Sequence, residues 1–187
     1  MRNRILLGGI ASLVSGAAWA HPGHGMAAGF SAGLLHPLTG WDHLLVMLSL
    51  GIWAARRPAH QGWQLPLWFV GVMTLSAGLA MRWLPMAVAE GLVAASVLVM
   101  GVLLIRRVAL PHRWQLAVVG LAAAVHGYVH GLELGRHWSA LAGMVLATAC
   151  LHLLGWWLGQ KQHAWLRAAT QWLGGGMMVL GAYWLMA

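Results

Sequence analysis

Residues 34–48 read LLHPLTGWDHLLVML, two histidines and an aspartate inside an apolar run, with a proline beside the first histidine. In a water-soluble protein this would be the core face of an ordinary helix. The rest of the chain removes that setting. Of 187 residues, 60% are hydrophobic and 7% charged, where a soluble domain is roughly a quarter charged. Too little polar surface is available to coat a soluble fold. The bilayer is the solvent this composition fits, which makes His36, Asp42 and His43 intramembrane groups.

Working outward, Arg2 and Arg4 precede an apolar core from Ile5 to Val14 and then Ala18-Trp19-Ala20. That order predicts a cleavable signal peptide over residues 1–20 and a mature chain starting at His21. About 20 apolar residues cross a bilayer, and six such runs follow, over 29–55, 64–82, 86–105, 114–134, 138–159 and 165–186. The expected fold is all-α and polytopic: one six-helix transmembrane domain, 21–187, with short connections.

The formal charge of +8 comes from eleven Lys/Arg against three acids. The basic residues fall singly or in pairs between apolar runs, so nucleic acid is not the partner they suggest; anionic lipid is. With residue 21 outside, one set of loops holds Arg56, Arg57, Arg106, Arg107, Arg113, Lys161 and Arg167, and the other only Arg82 and Arg136. The positive-inside rule then puts both mature ends outside the cytoplasm. Trp53, Trp63, Trp83, Trp114, Trp138, Trp157 and Trp165 fall near span ends, where indoles favour the interface. The single cysteine, Cys150, cannot form an intramolecular disulfide and is expected to be a buried packing residue.

All three acids, Asp42, Glu90 and Glu133, lie in or at the edge of predicted spans. Ionisable groups in hydrocarbon are costly and read by default as functional. On a continuous helix His36 and His43 share one face with Gly29, Gly33 and Gly40, and Asp42 flanks it. Pro37 cannot donate to the Gly33 carbonyl and is expected to kink the helix there. In AVHGYVHGLELG, residues 124–135, His126, His130 and Glu133 are spaced four and three and share a face. Two imidazoles and a carboxylate on one rail suit a borderline divalent cation. If the first and fourth spans run antiparallel, His36 meets the level of Glu133 and His43 that of His126, around one elongated pocket. Three spans per half, with the clusters on corresponding helices, also fit an inverted repeat.

Secondary metal candidates are His152, alone in the fifth span, Glu90 near a span end, and His21 and His24 at the mature N-terminus. His60, His112, His137 and His163 are expected in solvated loops.

The order of signal peptide, HPGHG (21–25), HPLTGWDH (36–43) and HGYVHGLE (126–133) resembles the HupE/UreJ family of nickel permeases, over essentially the whole mature chain. The resemblance implies a six-helix inner-membrane protein that carries nickel(II), or cobalt(II), into the cytoplasm for hydrogenase or urease maturation. It implies that His36, Asp42, His43, His130 and Glu133 contact the ion, with His126 beside them. Val125 stands where the family often has an aromatic residue. The metal is then cargo, no prosthetic group is expected, and the chain is not an enzyme. A homo-oligomer and a periplasmic or cytoplasmic metal carrier are compatible partners.

The residues alone also allow an intramembrane zinc hydrolase, with Glu133 as base, although no H-E-x-x-H signature occurs. Haem does not call for acids beside its histidines. Copper(I) would want thioethers at the site, and the eleven methionines are scattered. No G-x-x-x-x-G-K-[S/T] loop is present, so nucleotide coupling within this chain is not expected.

Overall fold

The computed structural model describes residues 29–81, 88–106, 110–161 and 163–187. The predicted signal peptide, His21, His24, Arg82, Trp83 and Arg107 lie outside the described residues. Among the described residues every regular element is a helix: α1 Phe30–Thr39, α2 Trp41–Ala54, α3 Ala59–Gly62, α4 Gln64–Ala80, α5 Ala89–Arg106, α6 His112–Leu134, α7 Trp138–Gly159 and α8 Ala164–Met186.

Among the described residues four stretches are long and apolar enough to cross a membrane: Ala59–Ala80, which joins α3 to α4, Ala89–Arg106, His112–Leu134 and Trp138–Gly159. The other two expected spans differ for visible reasons. The first is split at Gly40 into helices of 10 and 14 residues, neither sufficient alone. The last has 23 residues but is diluted by Gln171 and the glycine run 174–176.

These helices are apolar on both faces, as lipid-immersed helices are. Helix α4 buries Leu65, Phe69, Met73 and Ala77 and exposes Leu67, Leu75 and Leu79. Trp63, Trp114, Trp138, Trp157 and Trp165 are exposed near helix ends, as expected of interfacial indoles. Trp53 departs from that expectation: it is 1% exposed, roofed by the Arg57 guanidinium 4.5 Å above its ring. Cys150 also departs, standing exposed on the outside of α7. A thiol loses nothing by facing lipid, so burial is not required of it.

Three helix pairs make the bundle: α1 and α2 on α7, α4 on α6, and α5 on α8. Hydrocarbon offers no hydrophobic drive for helix association, so small residues that allow close packing carry it. A Cβ at Gly33 would strike the Ala140 backbone, and one at Gly51 the backbone of His152 and Trp156, so the first span and α7 run parallel. Gly127 and Gly131 press in the same way on Met73 and Ala77, so α6 runs parallel to α4. Gly101 lies against Gly174, and Gly181 against Ala94 and Leu98, so α5 and α8 are antiparallel. The expected first-to-fourth helix pair is therefore not a backbone pair. The glycines of α6 are spent on α4, and the two histidine clusters meet through their side chains.

Candidate metal site

The first cluster is positioned by a broken helix, which corrects the continuous face expected from sequence. Pro37 remains inside α1, and the break comes three residues later at Gly40, where ψ is 112°. The Gly40 N–H donates to His36 O (3.3 Å), ending α1, while the Gly40 carbonyl accepts from Leu44 N (2.9 Å), starting α2. Thr39 Oγ1 also donates to His36 O, at 2.9 Å. The proline takes away a helix hydrogen bond, and Gly40 leaves the helix in an extended conformation.

Asp42 keeps its place on the flank of His43, since both follow the break in α2. It occupies the first turn of α2, where a carboxylate favours the positive end of the helix dipole. Its side chain folds back over Gly40, whose missing Cβ would lie 3.0 Å from Asp42 Oδ1. Asp42 belongs to neither group of converging donors described below.

His36 and His43 nonetheless reach the same partner, the ring of His130. His36 Nε2 and His130 Nδ1 are 2.8 Å apart, and His43 Nδ1 and His130 Nε2 are 2.6 Å apart. Glu133, on the exposed last turn of α6, turns its side chain inward, 27% accessible. Its Oε2 lies 2.8 Å from His130 Nδ1 and 3.1 Å from His36 Nε2. Two groups result, His36–His130–Glu133 toward one end of the bundle and His43–His126–His130 in its interior. His130 is common to both, one ring nitrogen facing each way. The antiparallel levels expected from sequence are present: His36 sits with Glu133, and the His43 and His126 ring centroids are 5.4 Å apart.

Hydrogen bonds from residues that motif reading missed fix the tautomers. Ser96 Oγ donates to the Val93 carbonyl (2.7 Å), so toward His126 Nε2 (2.9 Å) it acts as acceptor. His126 therefore carries its proton on Nε2. Its Nδ1 is an unprotonated nitrogen, fully buried, with no hydrogen-bond partner. Thr148 Oγ1 lies 3.1 Å from His43 Nε2 and 3.9 Å from Met73 Sδ. The Glu133 carboxylate can only accept, so His130 donates to it from Nδ1 at 2.8 Å, and His130 Nε2, 2.6 Å from His43 Nδ1, accepts from His43. Orienting partners of this kind are what ligating imidazoles normally have. Ser96 and Thr148 have a sequence signal only in hindsight, as hydroxyls inside apolar runs.

Among the secondary candidates, His152 on α7 lies beyond the inner group. Its Nδ1 donates to the Met47 carbonyl at 2.8 Å, and its buried Nε2 has no partner. The Phe69 ring packs against both His152 and His126, at centroid distances of 5.2 and 6.2 Å. Glu90 is exposed in the first turn of α5, apart from both groups. His60, His137 and His163 are exposed, as expected. His112 is instead the first residue of α6, half-buried, with Nε2 2.8 Å from Gln64 Oε1.

A column of imidazoles between a surface carboxylate and a buried interior can strip water from a cation and pass it inward. Residues 10–184 match the family described as HupE / UreJ protein. The chain belongs to the HupE/UreJ family. It is 37% identical over 132 residues to Protein HupE of Rhizobium leguminosarum bv. viciae, an alignment covering 69% of either chain. No solved structure matches it. HupE/UreJ proteins are metal-transport accessory proteins, nickel or cobalt permeases associated with hydrogenase and urease, and not an enzyme family. The family and the apolar helices together make this a multi-pass membrane protein.

Proposed function

We propose that this HupE/UreJ protein is a secondary permease that takes nickel(II) or cobalt(II) across the bacterial inner membrane into the cytoplasm. It would supply metalloenzyme maturation of the hydrogenase or urease kind. The mature chain crosses six times after a cleaved signal peptide, α1 and α2 together forming one broken span and α8 the last. Both mature ends lie in the periplasm, so His36 and Glu133 face the outside and the basic turns face the cytoplasm.

The observation that carries this reading is the triangle of His36 Nε2, His130 Nδ1 and Glu133 Oε2, with edges of 2.8, 2.8 and 3.1 Å. Two imidazoles and a carboxylate converging this closely offer one borderline divalent cation three donors in place of the hydrogen bonds among them.

Transfer follows from the double role of His130. An ion held by Nδ1 with His36 and Glu133 has its next nitrogens in His43 and His126, reached by turning the shared ring. His152, past Phe69, offers the next unprotonated nitrogen. Asp42 is the remaining ligand candidate; at the Gly40 joint it is placed to join the ion if the joint flexes. His21 and His24 would act earlier, as a capture point outside. A divalent ion moving inward through 100 mV gains about 4.6 kcal/mol, at about 2.3 per charge. Nothing in the site favours a hydrolase: the Glu133 carboxylate, the one candidate base, is engaged by two imidazoles.

The test is metal accumulation in proteoliposomes of wild type and His130→Ala, offered nickel, cobalt, zinc or copper separately. Uptake of nickel that disappears in folded His130→Ala supports the reading. Stoichiometric binding with no accumulation by the wild type would overturn it.

A further inference from the structure

At the end of the bundle opposite Glu133, α2, α5, α7 and α8 leave a cavity of about 480 Å³ that none of the histidine ligands line. Its polar lining is basic: Arg56, Arg57, Lys161 and Arg167, with the hydroxyl of Thr170. Its other walls are apolar, among them Leu103 and Leu158.

The cations are held in place. Arg56 donates through Nη2 to Thr170 Oγ1 (2.8 Å) and through Nη1 to the Leu104 carbonyl (3.5 Å). Arg57 lies flat over the Trp53 ring, and Lys161 Nζ is 4.6 Å from the centre of the Trp157 ring. Partial burial lowers the Arg57 pKa from its ordinary value, a sign that water serves this guanidinium poorly. None of the three carboxylates of the sequence lines the cavity: they lie in the first turns of α2 and α5 and the last turn of α6. Preorganised guanidinium groups match the oxygens of a phosphate, and a basic pocket between membrane helices with apolar walls matches an amphiphile.

We propose that this cavity binds a phosphate-bearing anion, supplied by the headgroup of an anionic phospholipid whose chains lie against Leu103 and Leu158. A bound headgroup would tie the ends of α2 and α7, which carry His43 and His152, to α5 and α8. The proposal rests on the chain being a membrane protein and is independent of which ion, if any, is carried.

The experiment is thermal unfolding of the purified full chain in neutral detergent, followed by tryptophan fluorescence. Short-chain phosphatidylglycerol, phosphatidylcholine of the same chain length, and inorganic phosphate are titrated separately. Phosphatidylglycerol should raise the midpoint saturably and phosphatidylcholine should not. The Lys161→Gln, Arg167→Gln double variant should need about 25-fold more lipid, roughly fivefold per cation removed. Lys161→Gln alone, in an exposed connection, should show about fivefold and keeps the test decisive should the double variant not fold. A saturable shift with inorganic phosphate, weakened in the same variants, supports the anion site and assigns its source to the free ion. Equal shifts from both lipids, or a folded variant that titrates like wild type, overturns the proposal.

Discussion

Ser96→Ala tests the tautomer logic of the inner group without touching a ligand. Ser96 Oγ holds His126 from 2.9 Å and is held in turn by the Val93 carbonyl at 2.7 Å. Removing the hydroxyl frees the His126 proton to move between nitrogens and leaves the ring without an orienting contact from α5. Loss of such a partner typically costs 10–100-fold in metal affinity. His126 is fully buried, so the stranded N–H also costs about 1–3 kcal/mol of stability. Ser96→Thr keeps the hydroxyl and should restore most of the affinity. The assay is nickel(II) titration of the detergent-purified chain by calorimetry, with tryptophan-monitored unfolding to establish that each variant is folded. A folded Ser96→Ala that binds nickel as tightly as wild type would refute the assignment of Nδ1 as the ligating nitrogen. Equal loss in Ser96→Thr would show that packing, not the hydrogen bond, was being measured.

Three further outcomes follow from the same geometry. His130→Ala removes a donor from both groups and should abolish measurable nickel binding, whereas His43→Ala leaves the His36–His130–Glu133 triangle intact and should retain a weaker site; equilibrium dialysis distinguishes them. His152→Ala, outside both groups, should slow proteoliposome uptake while leaving the equilibrium affinity within about twofold of wild type, since binding terms reside in the contacted donors; a matching fall in affinity would place His152 at the first site instead. Gly131→Ala pushes a methyl group into the Ala77 backbone and should destabilise by about 1–3 kcal/mol, read as a midpoint lower by several degrees; an unchanged midpoint would show that α4 and α6 are not packed this closely.

The sequence discloses which residues matter here better than it discloses how they are held. Intramembrane His and acid residues are legible because hydrocarbon makes each of them costly, and spacing combined with opposite directions for the first and fourth spans put His36 at the level of Glu133 and His43 at that of His126. The periodicity argument failed at residue 40. A 3.6-residue wheel assumes an unbroken helix, and it put His36 and His43 on one continuous face; the break at Gly40 separates them into two helices, while Asp42 stays on the flank of His43 in the first turn of α2. Ser96, Thr148 and Phe69 were illegible for a different reason. Each is unremarkable within its own helix and acquires a role only when another helix brings an imidazole to it.

The helix pairing also explains why the site is built around α6 rather than shared evenly. Exchanging the two halves of the chain would swap the α2–α7 pair with α6–α4, both parallel, and return α5–α8 to itself, antiparallel. That is the pairing an inverted repeat requires. The exchange fails at α5, which packs also on α2 and α6, while α8 packs chiefly on α5. The departure is functional in its consequence. It brings Ser96 against His126, so the α6 cluster acquires an orienting hydroxyl from α5, and α7 supplies the matching hydroxyl of Thr148 to His43. The outer group needs no such help, because Glu133 itself orients His36 and His130. On the proposed route an ion would leave a group with a carboxylate for one of imidazoles alone, buried in the bundle. A cation loses electrostatic stabilisation on that step unless the dry imidazoles are already aligned, and alignment is what Ser96 and Thr148 supply.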